Sequence, residues 1–216
     1  TLEASSAASD VYKRQTLRPP LHNPAPRMRF VLTDEFWALD ALTPAEWHLV
    51  AELPAASDSD VFSPATRERL FPSLFSPDTL VDEDTQSHLE DWDKFVKPDL
   101  KDTFEEARAL IAQDISMVES LDVEEMLESE YAEMAEGVSE LKRLRVPIEH
   151  TESWFSVLNQ ARLMMNEEFD LAESDDRLLL QFQDAENADQ DRLMLLAQYE
   201  IYSVIQSILV ENVMNL

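Results

Sequence analysis

The 216-residue chain contains a single glycine, Gly137, and this scarcity limits its fold more than any other feature. Glycine usually makes up about 7% of a protein and occupies backbone positions with positive φ or in close approach to a phosphate. Glycine-rich phosphate loops and dinucleotide-binding fingerprints are therefore excluded. The absence of cysteine likewise excludes disulfides, thiolate zinc sites and cysteine nucleophiles.

Apolar residues recur at helical spacing over most of the chain, which predicts a mostly α-helical protein. The clearest stripe advances in steps of three or four through Leu100, Phe104, Ala107, Ile111, Ile115 and Val118. Capped helix starts are predicted at Thr43-Pro44-Ala45-Glu46 and at Ser63-Pro64. Further helices are expected over residues 77–96, 98–118, 122–141, 151–168 and 190–214. The last of these is apolar on nearly all sides, which is typical of a buried central helix.

Residues 28–42 consist of two apolar runs separated by Thr33-Asp34-Glu35, which predicts a short β-hairpin with a polar turn. We therefore predict one multi-helix, bundle-like domain over residues 28–216 with a short N-terminal β-hairpin. No continuous apolar run reaches the roughly 18 residues of a membrane span, so no membrane contact is expected.

Residues 1–27 are expected to lie outside this domain. Residues 10–15 (DVYKRQ) are similar to the translation of a sequencing adapter, and residues 16–27 are proline-rich and lack periodicity. We interpret residues 1–27 as a disordered, non-native leader on a metagenomic bacterial gene, with Met28 as the native start. Because no apolar segment of a signal peptide is recognised there, we expect a cytoplasmic protein.

Acidic residues far outnumber basic ones, with 45 Asp and Glu against 17 Lys and Arg and a net charge of −28. Binding to nucleic acid depends on Lys and Arg that neutralise phosphates, so direct contact with nucleic acid is disfavoured. Residues 109–141 contain acids and no base. This stretch is either a solvated face, as in a salt-adapted protein, or a docking surface for a basic partner. The candidate partner surface is Glu124, Glu125 and Glu128.

Few residues are spaced to hold a metal ion or to perform catalysis. Asp84 and His88 stand four positions apart, but no second pair of ligands accompanies them. Glu149 and His150 are interpreted as a helix-initiating element rather than an acid–base pair. We therefore predict no catalytic residue, no metal site and no cofactor.

Residues 154–163 carry the most informative pattern. Trp154 and Leu158 share one helical face, while Asn159 and Arg162 share another with Phe155. A buried Asn or Arg needs hydrogen-bond partners. Two interpretations remain open, a polar contact in which Arg162 pairs with a carboxylate of another helix, or a site for a small ligand or a partner.

Three segments of the chain resemble the AosR family of actinobacterial oxidative-stress regulators, long classed as a domain of unknown function. The similar residues, which the resemblance implies are structural, are Arg69, Leu70, Phe71, Pro72, Trp154, Leu158, Asn159, Arg162 and Leu163. The tail from Tyr199 to Val210, with Tyr202, Ile205, Gln206 and Leu209, is similar to the closing helix of that family. The resemblance covers residues 60–216.

The resemblance implies a cytosolic, mostly helical, non-enzymatic protein. The characterised branch of the family is a redox-responsive transcription regulator that acts with an extracytoplasmic-function sigma factor and senses oxidants through a cysteine pair. This chain has no cysteine, so a dithiol switch is impossible and methionine oxidation is the redox chemistry that remains.

The sequence therefore predicts a non-enzymatic, cytoplasmic regulatory or adaptor protein. Its expected partner is a protein, such as a sigma factor or another transcription component. Two alternatives stay open. One is a small-ligand-binding or metal-dependent enzyme that uses the helix face of Asn159 and Arg162, and the other is a salt-adapted structural domain.

Overall fold

A computed structural model of the chain describes residues 28–72, 88–121, 140–171 and 190–214. Its strands are β1 (Arg29–Leu32), β2 (Phe36–Leu42), β3 (Glu119–Leu121) and β4 (Leu141–Pro147). Its α-helices are α1 (Pro44–Ala51), α2 (Leu53–Ala56), α3 (Pro64–Leu70), α4 (Lys97–Ser116), α5 (Thr151–Phe169) and α6 (Gln190–Leu209). Short 3-10 turns cover Ser59–Val61 and Ile148–His150, and π-helical turns cover Trp92–Val96 and Val210–Met214.

The four strands form one antiparallel sheet in the order β1-β2-β4-β3. The predicted hairpin is confirmed, since β1 pairs with β2 and the Thr33 hydroxyl both donates to the Phe36 carbonyl oxygen and accepts from the Phe36 amide. The prediction of a mostly helical protein is also confirmed. The description as a helical bundle needs correction, because the hairpin is half of a larger sheet.

Strand β4 is the element that the sequence analysis assigned wrongly. Leu141 was expected in a helix over residues 122–141, but it opens β4, which pairs with β2 about a hundred positions earlier in the chain. Leu144 and Val146 of β4 face the core beside Leu39 and Trp37 of β2, and all four are fully buried. Residues 122–139 of the expected helix lie outside the described residues.

An irregularity in β2 is fixed by a buried ion pair. The register between β2 and β4 shifts between Leu39 and Leu42, and Ala41 has a φ of 57°. A residue with a side chain avoids this left-handed region, so it needs support from its surroundings. Asp40 supplies this support, because its carboxylate accepts the Ala41 amide at 3.0 Å and the Nε and one terminal nitrogen of Arg143 at 2.9 and 2.8 Å.

The helix starts follow their sequence signals. Thr43 caps α1 in a capping box with Glu46, and Ser63 caps α3 by accepting from the Thr66 amide. The boundary before α4 differs from the prediction. A break between two helices was expected between residues 96 and 98, but the π-helical turn Trp92–Val96 continues directly into α4. Pro98, which lacks an amide hydrogen, directly follows the π-helical turn, where the regular α-helical ladder of hydrogen bonds is interrupted.

Helix α5 is the centre of the structure and contacts α2, α3, α4 and α6. Its Trp154 ring meets the Trp37 ring of β2 edge-on, with 5.4 Å between the centroids. The core combines one face of the sheet with inward faces of these helices. Its fully buried residues include Trp37, Leu39, Leu53, Ile111, Leu144, Trp154, Leu158 and Tyr202.

Within the described ranges, one helix, Gln190–Met214, is long and apolar enough to cross a membrane. Polar residues interrupt its apolar run without making the helix polar overall, and the expectation of no membrane contact stays a prediction. Leu196, Tyr202 and Leu209 of this helix pack into the core. A core helix meets the same criterion as a membrane helix, so the criterion alone assigns no membrane location.

Candidate functional site

The motif on α5 lies against the tail helix α6. Trp154 and Leu158 are fully buried, and Leu163 is partly buried. Arg162 donates through a terminal guanidinium nitrogen to the side-chain oxygen of Gln206, and its guanidinium carbon lies 5.2 Å from the centroid of the Tyr199 ring. Two of the three segments that carry the family resemblance therefore contact each other.

Two details of the Arg162 interpretation change. Its recorded partner on the neighbouring helix is an amide oxygen of Gln206 and not a carboxylate. Asn159 is exposed, while Arg162 is partly buried against α6.

The Arg69-Leu70-Phe71-Pro72 segment ends α3. Phe71 is buried and packs against Phe104 of α4, with 5.7 Å between the ring centroids. Arg69 lies 4.0 Å from Glu167 of α5 in an exposed ion pair, and Pro72 is exposed. The segment therefore joins α3 to α4 and α5, as a structural motif does.

A buried carboxylate, Asp114, joins α4 to the beginning of α5. It is 6% exposed and accepts the Trp154 indole N–H at 2.8 Å, and the Nδ1 atom of His150 lies 3.0 Å from its Oδ1. The neighbouring Thr151 hydroxyl accepts the Trp37 indole N–H at 3.1 Å. Sequence reasoning missed this cluster because Asp114 and Trp154 are 40 positions apart. Since each buried polar group has a partner, the cluster serves the fold.

A cavity of about 270 Å³ opens at the other end of α5, and we call it the carboxylate cavity. Its walls are mostly apolar, and its polar groups are Glu52, Glu168 and the Gln198 amide. The described residues that line it are Glu52, Ala56, Val61, Phe62, Met165, Glu168, Phe169, Leu195 and Gln198. Phe62 and Phe169 form an edge-on pair with 6.5 Å between the ring centroids. Sequence reasoning missed this site because α2, α5 and α6 each contribute to it.

Glu168 is held in place by the start of α3. Its Oε2 atom accepts from the Thr66 hydroxyl at 2.5 Å, from the Ser63 hydroxyl at 2.7 Å and from the Ser63 amide at 3.3 Å. The hydrogen bonds from Thr66 and Ser63 lower the pKa of the Glu168 carboxyl. The cavity therefore presents a fixed negative charge at neutral pH.

A second depression of about 360 Å³ lies on the other side of α3, and we call it the cationic groove. It is lined by Arg67, Lys97 and Lys101 around Phe71. Each cation lies 3.6–3.8 Å from an exposed carboxylate, namely Asp60, Asp93 and Glu105 in that order. Exposed pairs of this length contribute little to stability, so these charges are loosely held.

The family of the chain is decided by a match over most of its length. The model of a family described as a domain of unknown function, DUF2017, matches residues 21–213. The chain belongs to the DUF2017 family. No curated protein and no solved structure matches it.

The DUF2017 match begins at residue 21, ahead of Met28, and so includes part of the segment that we interpreted as a leader. Residues 1–27 lie outside the described residues, as do Asp84 and the candidate partner surface of Glu124, Glu125 and Glu128. His88 is exposed. In the parts of the DUF2017 domain that the structure describes, no three His, Asp or Glu side chains are grouped closely enough to hold a metal ion.

Proposed function

We propose that this DUF2017 protein is a non-enzymatic regulatory or adaptor protein of the cytoplasm that acts by binding a basic protein partner. The observation that carries the proposal is an exposed acidic row on α4. Asp99, Asp102 and Glu106 follow each other by three and four positions, so they share one face, and all three are exposed. This face is distinct from the face of Ala107 and Ile111, which are buried.

The overall charge of the chain, −28, supports the same proposal. A surface of one sign accelerates encounter with a partner of the other sign and fixes the orientation of docking. The resemblance to the AosR family adds a proposed context in transcription, with a sigma factor or another transcription component as the partner. Glu124, Glu125 and Glu128 extend the proposed acidic surface in sequence.

The proposal is tested by affinity capture from a bacterial lysate at low and at high salt, followed by reconstitution with the purified partner. We expect binding that weakens as salt rises and that is lost when Asp99, Asp102 and Glu106 are replaced by lysine. A second variant reverses Glu124, Glu125 and Glu128.

The matched control reverses Asp34 and Glu35, which are exposed in the β1–β2 turn away from this row. Binding that is insensitive to salt and to both reversals would contradict the proposal. A chain that captures no specific partner, yet unfolds when salt is removed, would favour a salt-adapted structural domain. A metabolite or metal that raises the melting temperature would favour the ligand-binding or enzymatic alternative.

A further inference from the structure

The carboxylate cavity combines apolar walls with negatively charged side chains. Its floor and walls are apolar, with Met165 buried and Phe62, Phe169 and Leu195 partly buried. Its polar side chains are the carboxylates of Glu52 and Glu168 and the amide of Gln198, and none of the described residues that line it is a cation. A ligand that fits both features has an aliphatic body and a positively charged end.

We infer that the carboxylate cavity receives the side chain of a lysine from the basic partner, with the aliphatic stem between Phe62, Phe169 and Leu195 and the ammonium between Glu52 and Glu168. The inference rests on the proposed function, since the lysine belongs to the partner. A lysine stem is apolar and its ammonium has three hydrogen-bond donors, so it matches apolar walls with acceptors at the rim.

The acceptors are arranged before any ligand binds. Three hydrogen bonds from Ser63 and Thr66 converge on one oxygen of Glu168, so the carboxylate is oriented by α3 and not by the ligand. Gln198 donates its side-chain N–H to the hydroxyl of Tyr202, which in turn donates to the carbonyl oxygen of Leu49. These two hydrogen bonds orient the Gln198 amide so that its oxygen points away from Tyr202. We take this oxygen as the third acceptor of the cavity.

The aromatic pair supplies an apolar wall for the aliphatic stem. The rings of Phe62 and Phe169 are inclined by 61°, and the selection of a cation is left to the carboxylates of Glu52 and Glu168. Arg192 does not compete for the cavity, because its guanidinium donates to the carbonyl oxygens of Phe169 and Asp170 at the end of α5. These hydrogen bonds also hold the C-terminal end of α5, the helix that bears Glu168.

The experiment titrates the full chain, labelled with ¹³C at the methionine methyl groups, with n-butylammonium chloride as the lysine side-chain probe. The Met165 methyl reports on the cavity, and the Met117 methyl, which belongs to a side chain that is 72% exposed and outside the lining, serves as the internal control. 1-Butanol is the neutral probe of matched shape, and equal sodium chloride controls for ionic strength.

We expect n-butylammonium to shift the Met165 signal in a saturable manner and to leave the Met117 signal unchanged. Glu168→Gln and Glu52→Gln each weaken the binding about two- to fivefold, the range of one exposed ion pair. Glu167→Gln is the matched control, because Glu167 is adjacent, exposed and outside the lining. It leaves the titration unchanged. Unchanged methionine spectra without probe confirm that each variant is folded.

Equal shifts with 1-butanol and n-butylammonium, or equal binding by the Glu168 and Glu167 variants, would overturn the inference. So would the absence of any saturable shift at Met165. A failure of the proposed function is recognised by a different measurement. Partner binding through the acidic row is tested by its salt dependence and by charge reversal on α4, and neither depends on the Met165 signal.

Discussion

The two ends of α5 hold carboxylates in opposite surroundings. At the beginning of the helix, Asp114 is buried and joins α4 to Trp154 inside the core. At the end of the helix, Glu168 is exposed, although it accepts hydrogen bonds from both Ser63 and Thr66. The comparison shows that hydrogen bonding alone does not distinguish a carboxylate buried in the core from one that is accessible at a cavity. Access to solvent and to an apolar cavity makes the difference.

The largest effect is expected at the buried end. Asp114→Ala removes the acceptor of the Trp154 indole N–H and leaves a buried donor without a partner, which costs about 3 kcal/mol of the free energy of unfolding. Urea unfolding followed by tryptophan fluorescence measures the loss.

Asp114→Asn is the conservative control, because it keeps an oxygen that can accept from Trp154, and we expect it to recover part of the stability. If Asp114→Ala were no more destabilising than Asp99→Ala on the exposed face of α4, the structural role of Asp114 would be refuted.

A smaller loss is expected in the middle of the helix, at the motif. Arg162→Ala removes the hydrogen bond to Gln206 and the contact with the Tyr199 ring, which together stabilise the packing of α5 on α6 by about 1–2 kcal/mol. Thermal and urea unfolding measure this change. Asn159→Ala is the control, because Asn159 is exposed and its replacement is expected to change stability by less than about 0.5 kcal/mol. A larger effect at Asn159 than at Arg162 would reverse this assignment.

The smallest effect on stability is expected at the exposed end, and it depends on pH. Hydrogen bonds from Thr66 and Ser63 lower the pKa of Glu168 in the folded chain below its ordinary value of 4.5. The stabilisation is therefore fully present above pH 4.5 and is lost as the pH falls through the folded pKa. Glu168→Gln lacks this dependence.

Melting temperatures of the wild type and of Glu168→Gln, measured from pH 7 down to pH 3, check this expectation. The wild type should melt at the higher temperature near neutral pH, and the two values should converge below pH 4.5. A difference that grows on acidification would show that the carboxylate is not stabilised in its ionised form.

Much of the secondary structure can be predicted from short segments of the sequence. Thr43 and Glu46 predict their own capping box, and Thr33 closes the hairpin turn from within three residues. By contrast, β4 is predicted poorly, because Arg143 interrupts its apolar pattern. The role of Arg143 is seen only in the folded structure, where it pairs with Asp40 on β2, about a hundred residues earlier in the chain.

The sequence by itself determined the acidic character, the exclusion of cysteine and glycine-loop chemistry, and most helix starts, since composition and caps depend on neighbouring residues alone. The tertiary structure decided that Arg162 contacts Gln206, that Asp114 meets Trp154 and that Glu52 and Glu168 line one cavity. These contacts join residues far apart in the chain, and their partners are selected by how the helices pack on the sheet. No spacing within a single segment encodes that packing.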